Sequence, residues 1–484
     1  MMTRLNRHDF PGAVYHDRVI QFGEGNFLRA FIDWQLDWLN EHQGTDAGVV
    51  VVRPRNRAVS DTLNQQDGLY TTLIRGLNAQ GESVSESRLI RSVNREIQPY
   101  TQFDAFMALA RQPDIRFVFS NTTEAGIAFS ETDRLTDSPA ASFPGKLTQL
   151  LWARYQHVAG DESKGWLIVP CELVDHNGDM LRALVLRYAE HWQLPDAFTR
   201  WVMTSCAFYN TLVDRIVTGF PADSAALEAQ LGYQDHFLVA GEVYYQFVLQ
   251  GPAALFDELR LTALAPNVRR VEDIAPYKAQ KVAILNGAHT AMVPVAFLAG
   301  LESVGEAMED TQIAGYIDDL LRKEIIPTLD LPADELNAFA DAVLRRFRNP
   351  FIHHALLSIA LNGMTKFRTR LLQPLLTAHQ QTGQWPTNLT FALAALIAFY
   401  RGEQADKRWT LQDEPYWLQR YAESWAAVSA QRLSPAALVQ QVLGEASHWG
   451  QDLTQLPGLT ETVSHHLQRI LAHGIRDALS HRRS

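Results

Sequence analysis

Lys281-Val-Ala-Ile-Leu-Asn286-Gly-Ala-His289 is the densest run of chemically useful side chains in the 484-residue sequence. On an ideal helix these three polar residues fall at roughly 0°, 140° and 80°, so Lys281, Asn286 and His289 can look into one cleft. Val282 and Leu285 share that arc, so the face is not purely polar. Exchange between an alcohol and a ketone needs a group that takes or returns the hydroxyl proton while hydride moves elsewhere. A lysine set among Val, Ile and Leu loses hydration as a cation, which favours its use as a base. Asn286 can donate to an oxygen gaining negative charge, and His289 can hold a hydroxyl in line. The same run also fits a helix that carries a surface lysine and a core histidine.

Other reactive types are less well placed. Tyr277 lies four residues before Lys281, but the Tyr-x-x-x-Lys pair of short-chain dehydrogenases sits inside a nucleotide domain, so here it reads as coincidence. The adjacent pairs His353-His354 and His465-His466 diverge on a helix and have no second ligand at metal-binding spacing, so no metal is expected. Cys171, at the end of an apolar strand, reads as a packing residue. With Cys206 as the only other cysteine, far off in sequence, a reducing, cytoplasmic setting is expected, although a single bridge stays open.

The elements that must position these groups fall into two halves. Arg18 to Phe22 reads as a strand running straight into Gly23-Glu24-Gly25, followed by helical periodicity from Phe27 to about Leu39. The apolar run Val49 to Val52 reads as a buried parallel strand, and Phe117–Phe119 and Trp166–Val169 as two more. Strands alternating with helices predict an α/β, Rossmann-like domain over 1–272. Beyond it, helical patterns at 279–301, 310–326, 334–347, 352–376, 389–400 and 467–479 predict an all-α domain over 273–484. The stretches 130–142 and 160–165 read as surface loops. Val282 to Ala299 is apolar enough to raise the question of a membrane span. Asn286, His289 and Pro294 inside it favour a helix buried in protein, and no membrane partner is expected.

In Gly23-x-Gly25 the first glycine permits a tight turn and the second lets a pyrophosphate approach the N–H groups opening the helix. The third glycine of the usual fingerprint is replaced by Leu28. Arg29 is then either a solvated residue or a phosphate partner. The second strand ends Val52-Arg53-Pro54-Arg55, without the carboxylate that normally holds the adenosine ribose. Arg53 and Arg55 are loop charges or contacts to a 2′-phosphate, which leaves NAD and NADP both open.

The formal net charge of −11 is scattered along a chain that is 46% hydrophobic and 20% charged, an ordinary enzyme balance without a basic stripe. Nucleic acid is therefore an unlooked-for partner. An anionic substrate would need a local cluster of Arg or Lys. The N-terminal residues to Arg18 carry charges throughout and no signal-type apolar run. No feature sets an oligomeric state.

Taken together, Gln21-Phe-Gly-Glu-Gly-Asn-Phe-Leu-Arg29, Gln66-Asp-Gly-Leu-Tyr70, Asn121-Thr-Thr-Glu-Ala-Gly126, Pro170-Cys-Glu-Leu, His176-Asn-Gly178, Leu212-Val-Asp-Arg-Ile216, Lys281 to His289 and Arg346-Phe-Arg-Asn-Pro350 resemble, nearly end to end, the long-chain polyol dehydrogenase family that includes mannitol 2-dehydrogenase. The likeness is strongest to members that act on a sugar acid. The resemblance implies a Rossmann-like domain, a helical domain and a cleft between them. It makes Lys281 the general base, Asn177 and Asn286 the oxyanion donors, and His289 the group that orients substrate. Alone, Asn177-Gly178 would read as a tight turn. The resemblance also implies a cofactor site built from Val19, Ile20, Gln21, Phe22, Gly23, Gly25, Asn26, Phe27, Arg29 and Arg53, with Asn121, Thr122, Thr123 and Glu124 beside the nicotinamide. Relatives of the sugar-acid type imply NAD. Sister activities on another keto acid or on an uncharged polyol stay open, as does a catalytically silent nucleotide sensor or scaffold.

A sugar-acid carboxylate calls for a desolvated cation. Lys366, Arg368 and Arg370 lie in a segment that the resemblance brings near the cleft, and Lys366 is the expected substrate contact.

Overall fold

A computed structural model describes residues 2–57 and 59–482; the outermost positions of the expected domains, Met1 and Ser484, lie outside these. The chain divides into two compact units whose boundary falls between Ile274 and Ala275.

The first unit is built on six parallel strands: β1 (Asp17–Phe22), β2 (Gly48–Val52), β3 (Val93–Ile97), β4 (Phe117–Ser120), β5 (Leu167–Pro170) and β6 (Ala207–Phe208). Their order is β3-β2-β1-β4-β5-β6, the doubly wound arrangement, with the strand order reversing between β1 and β4. The Val49–Val52 run is buried throughout because both faces of β2 are covered. Val49 and Val51 join Val19 in a core against helix α1 (Asn26–Gln43), while Val50 and Val52 join Ile20 and Phe22 in a second core containing Leu147 and Trp166. The period-two alternation of each strand thus feeds two cores at once.

Sequence patterning misses a second β layer. Tyr70–Leu77 and Ser83–Ile90 pair antiparallel within a four-stranded sheet, and Asn210–Asp214, Gln246–Gln250 and Val268–Val271 form a three-stranded one. Ser83–Ile90 is largely exposed, so it carries no hydrophobic alternation to announce it. The 130–142 stretch is a loop pinned from inside: Asp133 accepts the N–H groups of Ala141 and Ser142 and the hydroxyl of Tyr188. Both cysteines are buried and unpaired.

The second unit is almost entirely helical. The helix expected over 352–376 is three helices, Leu356–Ile359, Gly363–Arg370 and Leu372–Thr382. The first break comes where Asn362 takes a left-handed φ of 53° ahead of Gly363. Ala275–Leu298 is a continuous apolar helical run, long enough to cross a membrane by length and composition, yet 83% of its most apolar window is buried inside the protein.

Candidate active site

In the first unit, the end of β1 meets the end of β4 through Gly23. Its φ of 123° suits glycine, and a Cβ there would lie 3.0 Å from the Asn121 carbonyl oxygen. The expected turn therefore lies at the point of strand reversal, where open α/β sheets bind dinucleotides. Gly25 caps α1 in an extended conformation, no side chain caps the helix, and its first turn holds no acidic residue. A Cβ on Gly25 would meet nothing within 4 Å, so free space lies over N–H groups and a positive helix end. That is a fit for a pyrophosphate.

The remaining residues of this segment divide by where they point. Val19, Ile20 and Phe22 are fully buried in the sheet cores. Gln21 turns inward, donating to the Gly23 carbonyl at 3.1 Å and to Asp33 at 3.3 Å. Asn26 is exposed and Phe27 stacks on Phe31. Arg29 is neither solvated nor aimed at open space. It is 6% exposed, donates to the Glu24 carbonyl, the Asn26 side chain and the Phe237 carbonyl, and lies over the Tyr70 and Phe237 rings. Burial lowers its pKa, with Tyr70, Asp235 and Asp33 opposing that shift. Arg29 is thus a clamp beneath the glycine turn. Below it, burial pushes the Asp33 carboxyl up to about 7 despite hydrogen bonds from Tyr70 and Gln21.

Arg53 is not a loose loop charge. Its side chain is 7% exposed and pairs with Glu96, itself 2% exposed, and reaches Glu24 at 3.4 Å. The carboxylate missing from the end of β2 is supplied by β3, 43 residues away. On the other side of the reversal point, Asn121 donates to the Cys171 carbonyl, and the buried Glu172 accepts from Ser120 and from the N–H and hydroxyl of Thr122. Glu172, which sequence reasoning missed, holds the end of β4 to the end of β5. It was signalled only as a carboxylate immediately after a buried strand. Thr123 takes a φ of 80°, rare for a β-branched residue and costing about 1–3 kcal/mol. Thr123 and Glu124 are exposed.

Asn177 opens helix α2 (Asn177–His191) and is fully buried. Its amide donates to Pro170 and Glu172 carbonyls and the Thr211 hydroxyl, while its oxygen accepts from Gly178 and Thr211 N–H groups. An amide has two N–H bonds to give. In the chain without substrate both donors are engaged, tying β5 to the strand at Thr211.

In the second unit, Lys281–Asn286 is a π-helical turn continuing into helix α3 (Gly287–Leu298). The α-helical angles assumed from sequence do not apply. An i→i+5 ladder brings residues five apart nearly above one another, so Lys281 and Asn286 share a face more closely than 140° would allow. Such turns recur at functional sites. Lys281 and Asn286 are half-buried, and among the described residues the Asn286 side chain makes no hydrogen bond. His289 stacks on Phe347 and meets His354 edge-on at 5.2 Å; its Nε2 is buried with no hydrogen-bond partner among the described residues. Burial, then His354, Arg346, Arg370 and Lys366, push its pKa down to about 3, so the imidazole is neutral near pH 7. His353 turns away, lining a cavity of about 430 Å³ with Phe297, Phe399 and Trp409. The two side chains diverge, but in a non-helical segment ahead of Leu356–Ile359 rather than on the helix expected.

Lys366 lies on helix α4 (Gly363–Arg370), half-buried, donating to the Ile359 carbonyl at 2.7 Å. Burial and then Arg370 lower its pKa. Among the described residues no group of three His, Cys, Asp or Glu is arranged to hold a metal.

A doubly wound sheet with an open glycine turn at its reversal point, followed by a helical unit presenting lysine, asparagine and neutral histidine, defines a two-unit protein of the dinucleotide-binding class. The chain belongs to the mannitol dehydrogenase family: residues 17–263 match the mannitol dehydrogenase Rossmann domain and 273–471 the mannitol dehydrogenase C-terminal domain. It is 61% identical to an altronate oxidoreductase of Klebsiella pneumoniae (strain 342) and 60% identical to one of Yersinia pestis, each over 99% of both chains. Among solved structures, a substrate-free D-sorbitol dehydrogenase is similar with a TM-score of 0.80 at 22% identity, covering 99% of this chain and 100% of that one. The Pseudomonas fluorescens mannitol 2-dehydrogenase ternary complex with NAD and D-mannitol gives a TM-score of 0.67 at 22% identity, covering 99% of each chain. At that identity the likeness speaks for the fold.

Proposed function

We propose that this chain is an NAD-dependent altronate oxidoreductase that interconverts D-altronate and D-tagaturonate with Lys281 as general acid and base. The observation that carries the reading is the unpartnered, neutral His289 set among Arg346, Lys366 and Arg370, one helical run on from Lys281 and Asn286. Groups that handle a carbonyl stand beside cations that suit a carboxylate. The names of relatives 60% identical or more support the same substrate.

When bound, NAD supplies the redox chemistry, exchanging hydride with the substrate carbon. Every other part of the work falls to side chains. In the reducing direction Lys281 delivers a proton to the carbonyl oxygen, and in the oxidising direction it takes that proton back. Asn286, with a free amide, donates to the same oxygen as it gains negative charge. Neutral His289 offers its unpartnered Nε2 to a substrate hydroxyl. Lys366 attracts the carboxylate. Asn177, Gln21 and Arg29 act within the first unit, holding the glycine turn and the ends of its strands.

NAD is favoured over NADP because the charge of Arg53 is already matched by Glu96 and Glu24, which leaves little for a 2′-phosphate. The open space at Gly25 accommodates the pyrophosphate. Unpaired, buried thiols fit a cytoplasmic setting. The absence of any basic stripe in a chain of net charge −11 favours a small-molecule substrate over nucleic acid.

The test is a panel of tagaturonate, fructuronate and fructose, each with NADH and NADPH. Tagaturonate with NADH should give the highest kcat/KM. Preference for fructuronate or fructose would assign a sister activity, and cofactor binding without turnover would assign a sensor.

A further inference from the structure

We infer that Arg370, more than Lys366, binds the substrate carboxylate and so decides between a keto acid and an uncharged ketose. The inference rests on the proposed sugar-acid activity and deepens it.

Arg370 ends α4, four residues after Lys366, so the two cations share one face of the helix. Both are half-buried, and neither has a carboxylate within ion-pair distance among the described residues. Like charges one turn apart repel, and partial burial adds a desolvation cost that an anion would relieve. The negative end of the helix accounts for a cation at this position. It does not account for the burial, since Arg368 in the same turn stays exposed and donates to the His448 carbonyl.

The two cations differ in what they have left to give. Lys366 spends a donor on the Ile359 carbonyl at 2.7 Å. Arg370 is anchored through Nη1 alone, to the Thr290 hydroxyl at 3.1 Å and the Asn286 carbonyl at 3.4 Å. Its Nε and Nη2 edge has no partner among the described residues, and that edge is the planar fork that matches a carboxylate. The anchor also fixes position: the guanidinium hangs from the backbone of Asn286 and from the residue after His289. Glycine at 287 keeps this approach close. A Cβ there would lie 2.9 Å from Leu371 Cδ2, so a larger residue would push that side chain aside where the end of α4 meets the catalytic turn.

The experiment compares the full-length wild type with Arg370→Met, Arg370→Lys and Lys366→Met, using tagaturonate and an uncharged ketohexose with NADH. Arg370→Met should raise KM for tagaturonate roughly 100-fold, the size of a lost charged hydrogen-bond pair, and leave kcat and KM for the ketohexose within about threefold. Arg370→Lys should restore only part of the loss, and Lys366→Met should cost about tenfold or less. Parallel changes for both substrates, or an unchanged KM for tagaturonate, in Arg370→Met with a wild-type melting profile would overturn the inference while leaving the proposed activity standing. Wild type that fails to reduce tagaturonate would overturn the activity itself.

Discussion

Glu96→Gln probes the buried ion pair at the ends of β2 and β3. The change keeps the shape of the side chain and an oxygen for the Leu63 N–H, which Glu96 accepts at 3.0 Å. It removes the charge that matches Arg53. Because Glu96 and Arg53 are 2% and 7% exposed, the guanidinium cannot recover its hydration without local opening. Breaking one side of a buried pair costs about 3–5 kcal/mol; Glu24 at 3.4 Å offers some compensation and places the expectation near the lower end, about 3 kcal/mol. The assay is thermal unfolding followed by hydrogen exchange at β2 and β3, where the loss should concentrate. A double variant, Arg53→Met with Glu96→Met, should recover most of the stability because no charge is left buried. A second readout is cofactor choice, since an unmatched Arg53 should narrow the preference for NADH over NADPH. A Glu96→Gln protein with wild-type melting and an unaltered cofactor ratio would refute the claim that this pair neutralises Arg53.

Other consequences concern the buried amide and a second histidine. Asn177→Ala removes acceptors and donors that join Pro170, Glu172 and Thr211, and should destabilise the first unit by about 2–3 kcal/mol in a melting experiment. Its kcat below the melting range should fall less than the 10²–10³-fold expected of a lost oxyanion donor; intact stability with a loss of that size would support the oxyanion role. His466 is 5% exposed, and burial pushes its pKa down from 6.5 to about 4, so between those values the folded state binds fewer protons than the unfolded chain. Its contribution to stability is full above pH 6.5 and falls as pH drops, by up to about 1.4 kcal/mol per unit. Comparing wild type with His466→Leu from pH 7 to 4.5 should show a shallower acid loss in the variant; equal slopes would count against a buried neutral imidazole.

The parts of the fold readable in the sequence were those written in local pattern. Val49–Val52 announced a buried parallel strand, and Gly23-x-Gly25 lay where the sheet reverses. What escaped was set by distant partners or by departures from ideal geometry. Arg53 and Glu96 are 43 residues apart, and the bonds that saturate Asn177 come from Thr211, 34 residues on. The π turn at Lys281–Asn286 has no signature in hydrophobic periodicity, so helical angles placed its side chains imperfectly. The Asn362-Gly363 pair did carry a turn signal, but the apolar periodicity around it masked the break. The residues with candidate chemistry in the helical unit were nevertheless in view from the outset: Lys281, Asn286 and His289 are polar groups lodged in an apolar helical run, and Lys366 stands in a basic segment picked out by the family resemblance.

The central claim is that Lys281 moves the proton. It is tested most directly by Lys281→Met, assayed for tagaturonate-dependent NADH oxidation and, separately, for NADH binding by fluorescence titration. The account predicts a fall in kcat of about 10²–10⁴-fold, the usual contribution of a positioned acid–base group, with NADH affinity unchanged within about threefold. A variant that binds NADH and still turns over tagaturonate near the wild-type rate would contradict it.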